Sequence, residues 1–200
     1  MSDLADVSVV ELLAGELDEI AEVVSRRLDG LTDAEYLWEP VPGYCWTVRS
    51  RETARTKFAN GSGDWVVDYD LPDPSPAPFT TIAWQMMHCY LINQVDHDRF
   101  FGPRRLSRLW DDVEVPHTAA AAVDAWATSL GRFRALLHDV TDSDLARMVD
   151  DPVREVSRPA WWFIQLIATE NRHHGSVACA LRDIYAHSDG GLHWRPVAPS

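Results

Sequence analysis

This 200-residue sequence contains little cysteine and little positive charge. Its three cysteines, Cys45, Cys89 and Cys179, form no CxxC pair, and an odd number at wide spacing is not a disulfide framework. We therefore expect a reducing, cytoplasmic environment. Lysine and arginine total 18 against 31 aspartate and glutamate residues, which gives a formal net charge of −13. Because such a chain repels phosphate backbones, the charge argues against nucleic acid as a partner.

Long hydrophobic runs are missing as well. No apolar segment approaches the ~20 residues that are needed to span a bilayer. The N-terminal stretch MSDLADVSVVELLAGELDEI is acidic, whereas a secretory signal begins with a basic segment. The sequence therefore predicts neither a membrane span nor secretion.

Strand-like alternation is scarce, but helical periodicity is frequent. Apolar residues recur at helical spacing in four long segments: residues 7–29, 79–101, 118–140 and 159–186. Gly30 and the Gly102-Pro103 pair end the first two segments, and Thr32 with Glu35 matches a capping box for a short helix. The pattern predicts an all-α protein, a four-helix bundle, built as a single domain over residues 1–200.

Two segments have no sustained periodicity of apolar residues. Residues 38–78 are rich in proline, glycine and aspartate, and this segment is unusually long for a connection inside a compact domain. We expect this link to be functional or to fold over one end of the domain. Residues 141–158 are polar and turn-like, with a short helix expected after Ser143.

The last helical segment contains the stretch ATENRHHGSVACALRDIY, residues 168–185. At about 100° per residue, Glu170 falls at the centre of an apolar stripe, formed by Phe163, Leu166, Val177, Leu181 and Ile184. An unpaired carboxylate would be costly there. His174 follows Glu170 by one turn, the spacing from which one helix offers two ligands to one ion. His173, three residues after Glu170, is also compatible with this pairing.

A third ligand can come from the second long helix. His88 shares an apolar face of that helix with Thr81, Trp84, Ile92 and Val95, whereas His97 lies about 180° around it. His88, Glu170 and His174 would form a set of two histidines and a carboxylate with open positions, suited to zinc, iron, nickel or manganese. Spacing alone leaves two other interpretations open: a buried polar layer without metal, or a half-exposed pair at the rim of the bundle.

Three motifs in this order and spacing are GLTDAEYLWEPVPGYCWTVR, TTIAWQMMHCY and ENRHHGSVACALRDIY. With them the chain resembles the DinB/YfiT superfamily from its first helix to Tyr185, in particular the branch found in actinobacterial-type genomes. The arginine bias agrees, since Lys57 is the single lysine. The resemblance implies a four-helix bundle with an up-down-down-up course and a long link between its first two helices. It also implies a divalent metal at one end of the bundle, which by position would be held by His88, Glu170 and His174.

The sequence departs from the family pattern at the last helix. The common pattern has histidine at both positions of the i, i+4 pair, and here Glu170 takes the first. Relatives in this branch often have a further histidine where Leu166 stands and an acidic residue where Val177 stands. These departures leave open a version of the fold that has kept the bundle and lost the chemistry.

Characterised members of the superfamily include transferases and isomerases that use a low-molecular-weight thiol such as mycothiol or bacillithiol. The resemblance thus implies a small-molecule substrate, a thiol and a divalent metal (zinc, nickel or iron) that makes thiolate available. His173 would assist catalysis as a partner of the ligands or as a proton shuttle. Trp84 and Arg49 would line the cofactor site, with Arg49 on an anionic group.

Two other functions remain open at this point. One is a non-catalytic bundle with a degenerate or structural metal site, which acts in stress response or as an interaction module. The other is a metal-dependent hydrolase that uses the same ligands to activate water. A homodimer is a further expectation.

Overall fold

The computed structural model describes residues 7–72, 74–104, 106, 111–151 and 154–188. Four long helices dominate it: α1 (Val9–Leu28), α3 (Ile82–Phe101), α4 (Ala119–His138) and α6 (Ala160–His187). Two four-residue helices precede α3 and α6 respectively: α2 (Asp33–Tyr36) and α5 (Asp142–Leu145). The four predicted long helices are confirmed, although α3 begins three residues later than predicted.

Hydroxyl side chains cap the beginnings of three of the long helices, α1, α3 and α4. Ser8, Thr81 and Thr118 each accept a hydrogen bond from the backbone N–H three residues on, which satisfies one of the free donors of the first turn. The predicted capping box of Thr32 and Glu35 is present at α2. Local sequence therefore fixes where α1, α2, α3 and α4 start.

The expectation of a purely helical protein needs correction, because the described residues also form six short strands. These are β1 (Cys45–Trp46), β2 (Val48–Ser50), β3 (Trp65–Val67), β4 (Phe79–Thr80), β5 (Met148–Asp151) and β6 (Val156–Pro159). They pair as β1 with β4 in parallel, and as β2 with β3 and β5 with β6 antiparallel. Strands of two to four residues are too short for an alternating pattern to be visible in the sequence.

The core lies between the long helices. Helix α1 packs against α4 and α6, and α3 packs against the same two. Large side chains that are fully buried there include Leu17, Met87, Leu91, Trp126, Leu130, Phe133 and Phe163. Among the described residues, no helix is long and apolar enough to cross a membrane.

A polar contact interrupts this apolar core. Asn93 of α3 and Asn171 of α6 exchange two amide hydrogen bonds of 3.1 and 2.7 Å. The indole N–H of Trp126 in α4 donates to the Asn171 amide oxygen at 2.8 Å. Because all three groups are buried, the contact fixes how α3, α4 and α6 lie against one another.

The link between α2 and α3 folds over the first half of α3, which agrees with the prediction that it covers one end of the domain. Strands β2, β3 and β4 contact α3. Trp46 of β1 lies against Trp84 with ring centroids 5.8 Å apart. The Trp84 indole N–H donates to the carbonyl of Asp68, just after β3, at 2.9 Å. The link therefore closes over the part of α3 that carries His88.

Candidate metal centre

The buried face of α6 differs from the predicted apolar stripe. It contains Phe163, Ile164, Ile167, Ala168, Asn171, His174, Gly175 and Ala178. The centre of this face lies about 90° from Glu170, so Glu170 stands at its edge with 30% of its side chain exposed. Small residues are buried where two helices approach closely. A prediction of the buried face that counts only large apolar residues does not include them.

The three predicted ligands come together at the interface of α3 and α6. The Glu170 Oε2 atom lies 3.3 Å from His174 Nε2 and 3.8 Å from His88 Nε2. One donor atom from each residue lies within 4.8 Å of the other two. Two helices thus supply the cluster, α3 with one residue and α6 with a pair one turn apart.

Aromatic rings surround the two histidines. The His88 ring stacks on Trp84 with centroids 4.8 Å apart and an interplanar angle of 11°. The His174 ring lies 5.7 Å from Trp84 and 4.4 Å from His88. Because Trp84 is 7% exposed, it forms a fixed apolar wall on one side of the cluster.

The donor set fits a divalent metal ion. A tetrahedral ion with nitrogen and oxygen ligands at about 2.0–2.1 Å places neighbouring ligand atoms about 3.4 Å apart. The separation of 3.3 Å between Glu170 and His174 meets this condition, and that of 3.8 Å to His88 comes near it. Three protein ligands leave at least one coordination position for another molecule, as in catalytic rather than structural zinc sites.

The charge states of two of these groups favour metal binding. The imidazoles of His174 and His88 beside it hold the pKa of the Glu170 carboxyl well below its ordinary value. Burial lowers the pKa of the His88 imidazole, and the neighbouring carboxylate only partly offsets this effect. At neutral pH the site therefore offers an ionised carboxylate and a neutral imidazole, the forms that bind metal.

Gln85 is a residue at this site that the sequence did not predict. It lies on α3 one turn before His88, is 5% exposed, and places its amide Oε1 atom 2.5 Å from His174 Nδ1. The signal in the sequence was a polar side chain three residues before the ligand in an otherwise apolar turn. That signal does not identify which residue of α6 lies opposite.

The other predicted site residues lie at different places. His173 is exposed, with its ring 4.7 Å from that of His174. Arg49 is 10% exposed and donates to Asp68 and Glu39 at 2.6 and 3.2 Å. Trp84 contacts two of the ligands directly. The roles of His173, Arg49 and Trp84 in binding or catalysis stay predictions.

Fold and site together define the class: a mainly helical protein with a cluster of two histidines and a carboxylate between two of its long helices. Within that class, the sequence model of the DinB superfamily matches residues 16–178. The chain belongs to the DinB superfamily.

One solved structure gives independent support for the fold. The chain is similar to a DinB-like protein from Bacillus cereus, with a TM-score of 0.53 and 18% sequence identity. The similarity covers 86% of this chain and 91% of that one. Among curated proteins, none matches the chain.

Proposed function

We propose that this protein is a metal-dependent enzyme that transfers a low-molecular-weight thiol of the mycothiol type to a small electrophilic substrate. The observation that carries the proposal is the cluster of His88, Glu170 and His174. Solvent reaches this cluster at Glu170, whose side chain is 30% exposed. A metal that only supports the fold is surrounded by four protein ligands, whereas this cluster offers three.

The charge of the site suits an anionic ligand. Histidines bind metal in their neutral form, so the three residues would contribute one negative charge to a bound divalent ion and leave the site with one positive charge. A bound ion of this kind lowers the pKa of a thiol and makes its thiolate available at neutral pH. In the transfer, the thiol gives up its S–H proton, its sulfur bonds to an electrophilic carbon, and the leaving group departs with the electron pair of the broken bond.

The chain's own residues would hold the reactants and move the proton. Trp84, with Trp46 and Tyr69 beyond it at 5.8 and 5.6 Å between successive rings, provides an apolar wall. Such a wall excludes water and orients an apolar substrate. His173 is the predicted proton acceptor, since its exposed imidazole can pass a proton to bulk water. Its substitution by glutamine should lower kcat without lowering metal affinity.

We further propose that the long helices follow the up-down-down-up course of the superfamily. Contacts between them support this course. In the contacts between α1 and α6, and in those between α3 and α4, the numbers of the paired residues increase together, as expected of parallel helices. In the contacts between α3 and α6, one number increases as the other decreases, as expected of antiparallel helices. The pairs concerned are Glu16–Arg172 with Arg27–Asp183, Asn93–Ser129 with His97–Phe133, and His88–Glu170 with Phe100–Phe163.

The test uses cobalt as a coloured substitute for the metal. Untagged protein is stripped, loaded with Co²⁺, analysed for metal content and titrated with mycothiol. We expect near-stoichiometric cobalt and a thiolate-to-cobalt absorption band in the near ultraviolet. The loaded protein should then consume mycothiol in the presence of a generic electrophile such as 1-chloro-2,4-dinitrobenzene.

Two variants provide the controls for this experiment. His174→Ala should lose about 100-fold or more in cobalt affinity, whereas His97→Ala, a half-buried histidine elsewhere on α3, should bind cobalt like the wild type. Cobalt binding without a thiolate band would refute thiol transfer and favour a metal-dependent hydrolase. A wild type that stays empty under every loading condition would overturn the metal site itself.

A further inference from the structure

The amide of Gln85 lies between the link and the metal-binding cluster. Its Oε1 atom faces His174 Nδ1 at 2.5 Å, and its Nε2 atom donates to the hydroxyl of Thr80 at 2.7 Å. An amide oxygen can only accept a hydrogen bond, so this orientation of the amide requires a hydrogen on the His174 Nδ1 atom. A neutral imidazole has one N–H, which leaves the lone pair on His174 Nε2.

We propose that Gln85 is a positioning residue that keeps the hydrogen of His174 on Nδ1 and thereby presents the Nε2 lone pair to the metal. The inference rests on the proposed metal site and extends it by one residue. Nε2 is the His174 atom that lies 3.3 Å from Glu170, so it is the atom that belongs to the cluster. A ligand histidine whose other nitrogen is held in this way keeps both its tautomer and its ring orientation.

The Gln85 side chain is held between α3 and the link. Gln85 lies in the first turn of α3, where its backbone N–H donates to the backbone carbonyl of Thr81 at 3.1 Å. Thr80 is the last residue of β4 and pairs with Trp46 of β1. A chain of contacts thus runs from the link through Thr80 and Gln85 to His174, which explains why this polar side chain is buried beside the cluster.

The opposite orientation of the Gln85 amide predicts the other tautomer of the His174 imidazole. With the Gln85 amide turned over, its N–H groups would donate to His174 Nδ1, and the ring hydrogen would sit on Nε2. That hydrogen would then point at Glu170 and occupy the position that a metal needs. The two arrangements therefore differ in an observable quantity, the tautomer of His174 in the metal-free protein.

The first measurement is the tautomer itself. Protein labelled with ¹⁵N at histidine is studied by long-range ¹H–¹⁵N correlation spectra without metal, at a pH at which the imidazole is neutral, and His174→Gln identifies the signal. We expect the Nδ1–H tautomer in the wild type. An Nε2–H tautomer would overturn the proposal, whether or not the protein later binds zinc.

The second measurement is zinc affinity by competition with a chelator. Gln85→Met keeps the length of the side chain but removes the acceptor, and we expect a loss of about 10- to 100-fold. Gln85→Glu restores an acceptor and should recover most of that loss. Gln94→Met, the same change at a glutamine about two and a half turns further along α3, should leave zinc affinity unchanged.

The outcomes separate this inference from the proposed function. Unchanged zinc affinity in Gln85→Met, or no recovery in Gln85→Glu, would refute the positioning role while the metal site stands. If Gln85→Met fails to fold, the wild-type tautomer and the affinity of Gln85→Glu relative to wild type decide, since glutamate should bind zinc within a few-fold of glutamine. A wild type without zinc affinity would refute the metal site, and the metal-free tautomer would still report on Gln85.

Discussion

The guanidinium of Arg49 is held by groups of the protein itself. Its Nε atom donates to the Asp68 carboxylate at 2.6 Å, and its Nη2 atom donates to Glu39 at 3.2 Å and to the Cys45 carbonyl at 2.9 Å. Asp68 is 1% exposed and also accepts from the backbone N–H of Thr47. Arg49 therefore compensates a buried negative charge next to the segment that covers Trp84.

This arrangement predicts that Arg49 matters for stability. Arg49→Met should lower the free energy of unfolding by about 3–5 kcal/mol, because it leaves the Asp68 carboxylate buried with too few donors. Urea unfolding measures the change. Arg55→Met, an exposed arginine of the same link with a bond to the Gly43 carbonyl, should cost far less. A stable Arg49→Met variant with a raised KM for the thiol would instead support the predicted anion-binding role.

At the residue scale, the residues that could bind a metal were easier to predict than the contacts that they make with residues on other helices. Glu170 and His174 could be paired because one helix fixes their spacing, and an apolar face pointed to His88. Gln85 could not be assigned because its partner lies 89 residues away on another helix. The prediction that Glu170 lies at the centre of the buried face of α6 was wrong for a related reason. That face includes Gly175 and Ala178, and their burial depends on how closely a neighbouring helix approaches.

At the element scale, the contact of α1 with α6 depends on a glycine. A Cβ atom added at Gly175 would lie 2.7 Å from Cγ2 of Val24. Val24 is 4% exposed and β-branched, so its side chain has little freedom to move aside. The two helices approach each other closely at this point, one residue after the candidate ligand His174.

The close approach predicts opposite effects for two similar substitutions. Gly175→Ala should destabilise the protein by about 1–3 kcal/mol through overpacking, although alanine is the better helix former. Gly131→Ala in α4, where a Cβ would meet nothing within 4 Å, should stabilise it by about 0.5–1 kcal/mol. Thermal and urea unfolding measure both changes.

A double variant tests the cause. Gly175→Ala with Val24→Ala should be less destabilised than the sum of the two single variants, because the second change removes the clashing methyl groups. Additive effects would show that Val24 is not the obstacle. Equal effects of Gly175→Ala and Gly131→Ala would show that the helices do not approach as closely as the structure indicates.

Elements differ in how far their sequence determines them. The long helices could be predicted because each has apolar periodicity, which capping residues support in α1, α3 and α4 and terminating glycines support in α1 and α3. The strands could not, because β1 and β4 pair only two residues each, Cys45 with Phe79 and Trp46 with Thr80. Such pairs form because the link folds over α3, so they follow from the tertiary structure rather than from local preference.

At the scale of the whole molecule, we expect folding and metal binding to be separable. The core consists mainly of apolar residues from the four long helices, together with the Asn93–Asn171 contact, and none of these groups is a predicted metal ligand. His88, Glu170 and His174 lie in the region covered by the link. A protein of this length buries enough apolar surface to fold without a metal, so the metal should add to stability rather than create it.

We therefore expect metal-free protein to keep its helical circular dichroism and to melt cooperatively. Free zinc at 100 times its Kd should raise the free energy of unfolding by about 2.7 kcal/mol, equivalent to about 5–10 °C in Tm. Glu170→Gln, which keeps the shape of the side chain but removes its charge, should fold without metal and show a much smaller shift. Its melting in EDTA, beside that of the wild type, controls for any effect of the substitution itself.

The opposite result would change the interpretation of the site. If removal of metal unfolds the wild type, as it does in small domains that are stabilised by structural zinc, the cluster would be a structural site. The proposal of an open position for thiol would then lose its physical basis. If zinc raises Tm equally in the wild type and in Glu170→Gln, the ion binds elsewhere. A zinc-dependent shift that requires Glu170, on a protein already folded without metal, is the combination expected of a preformed site whose metal is kept for chemistry.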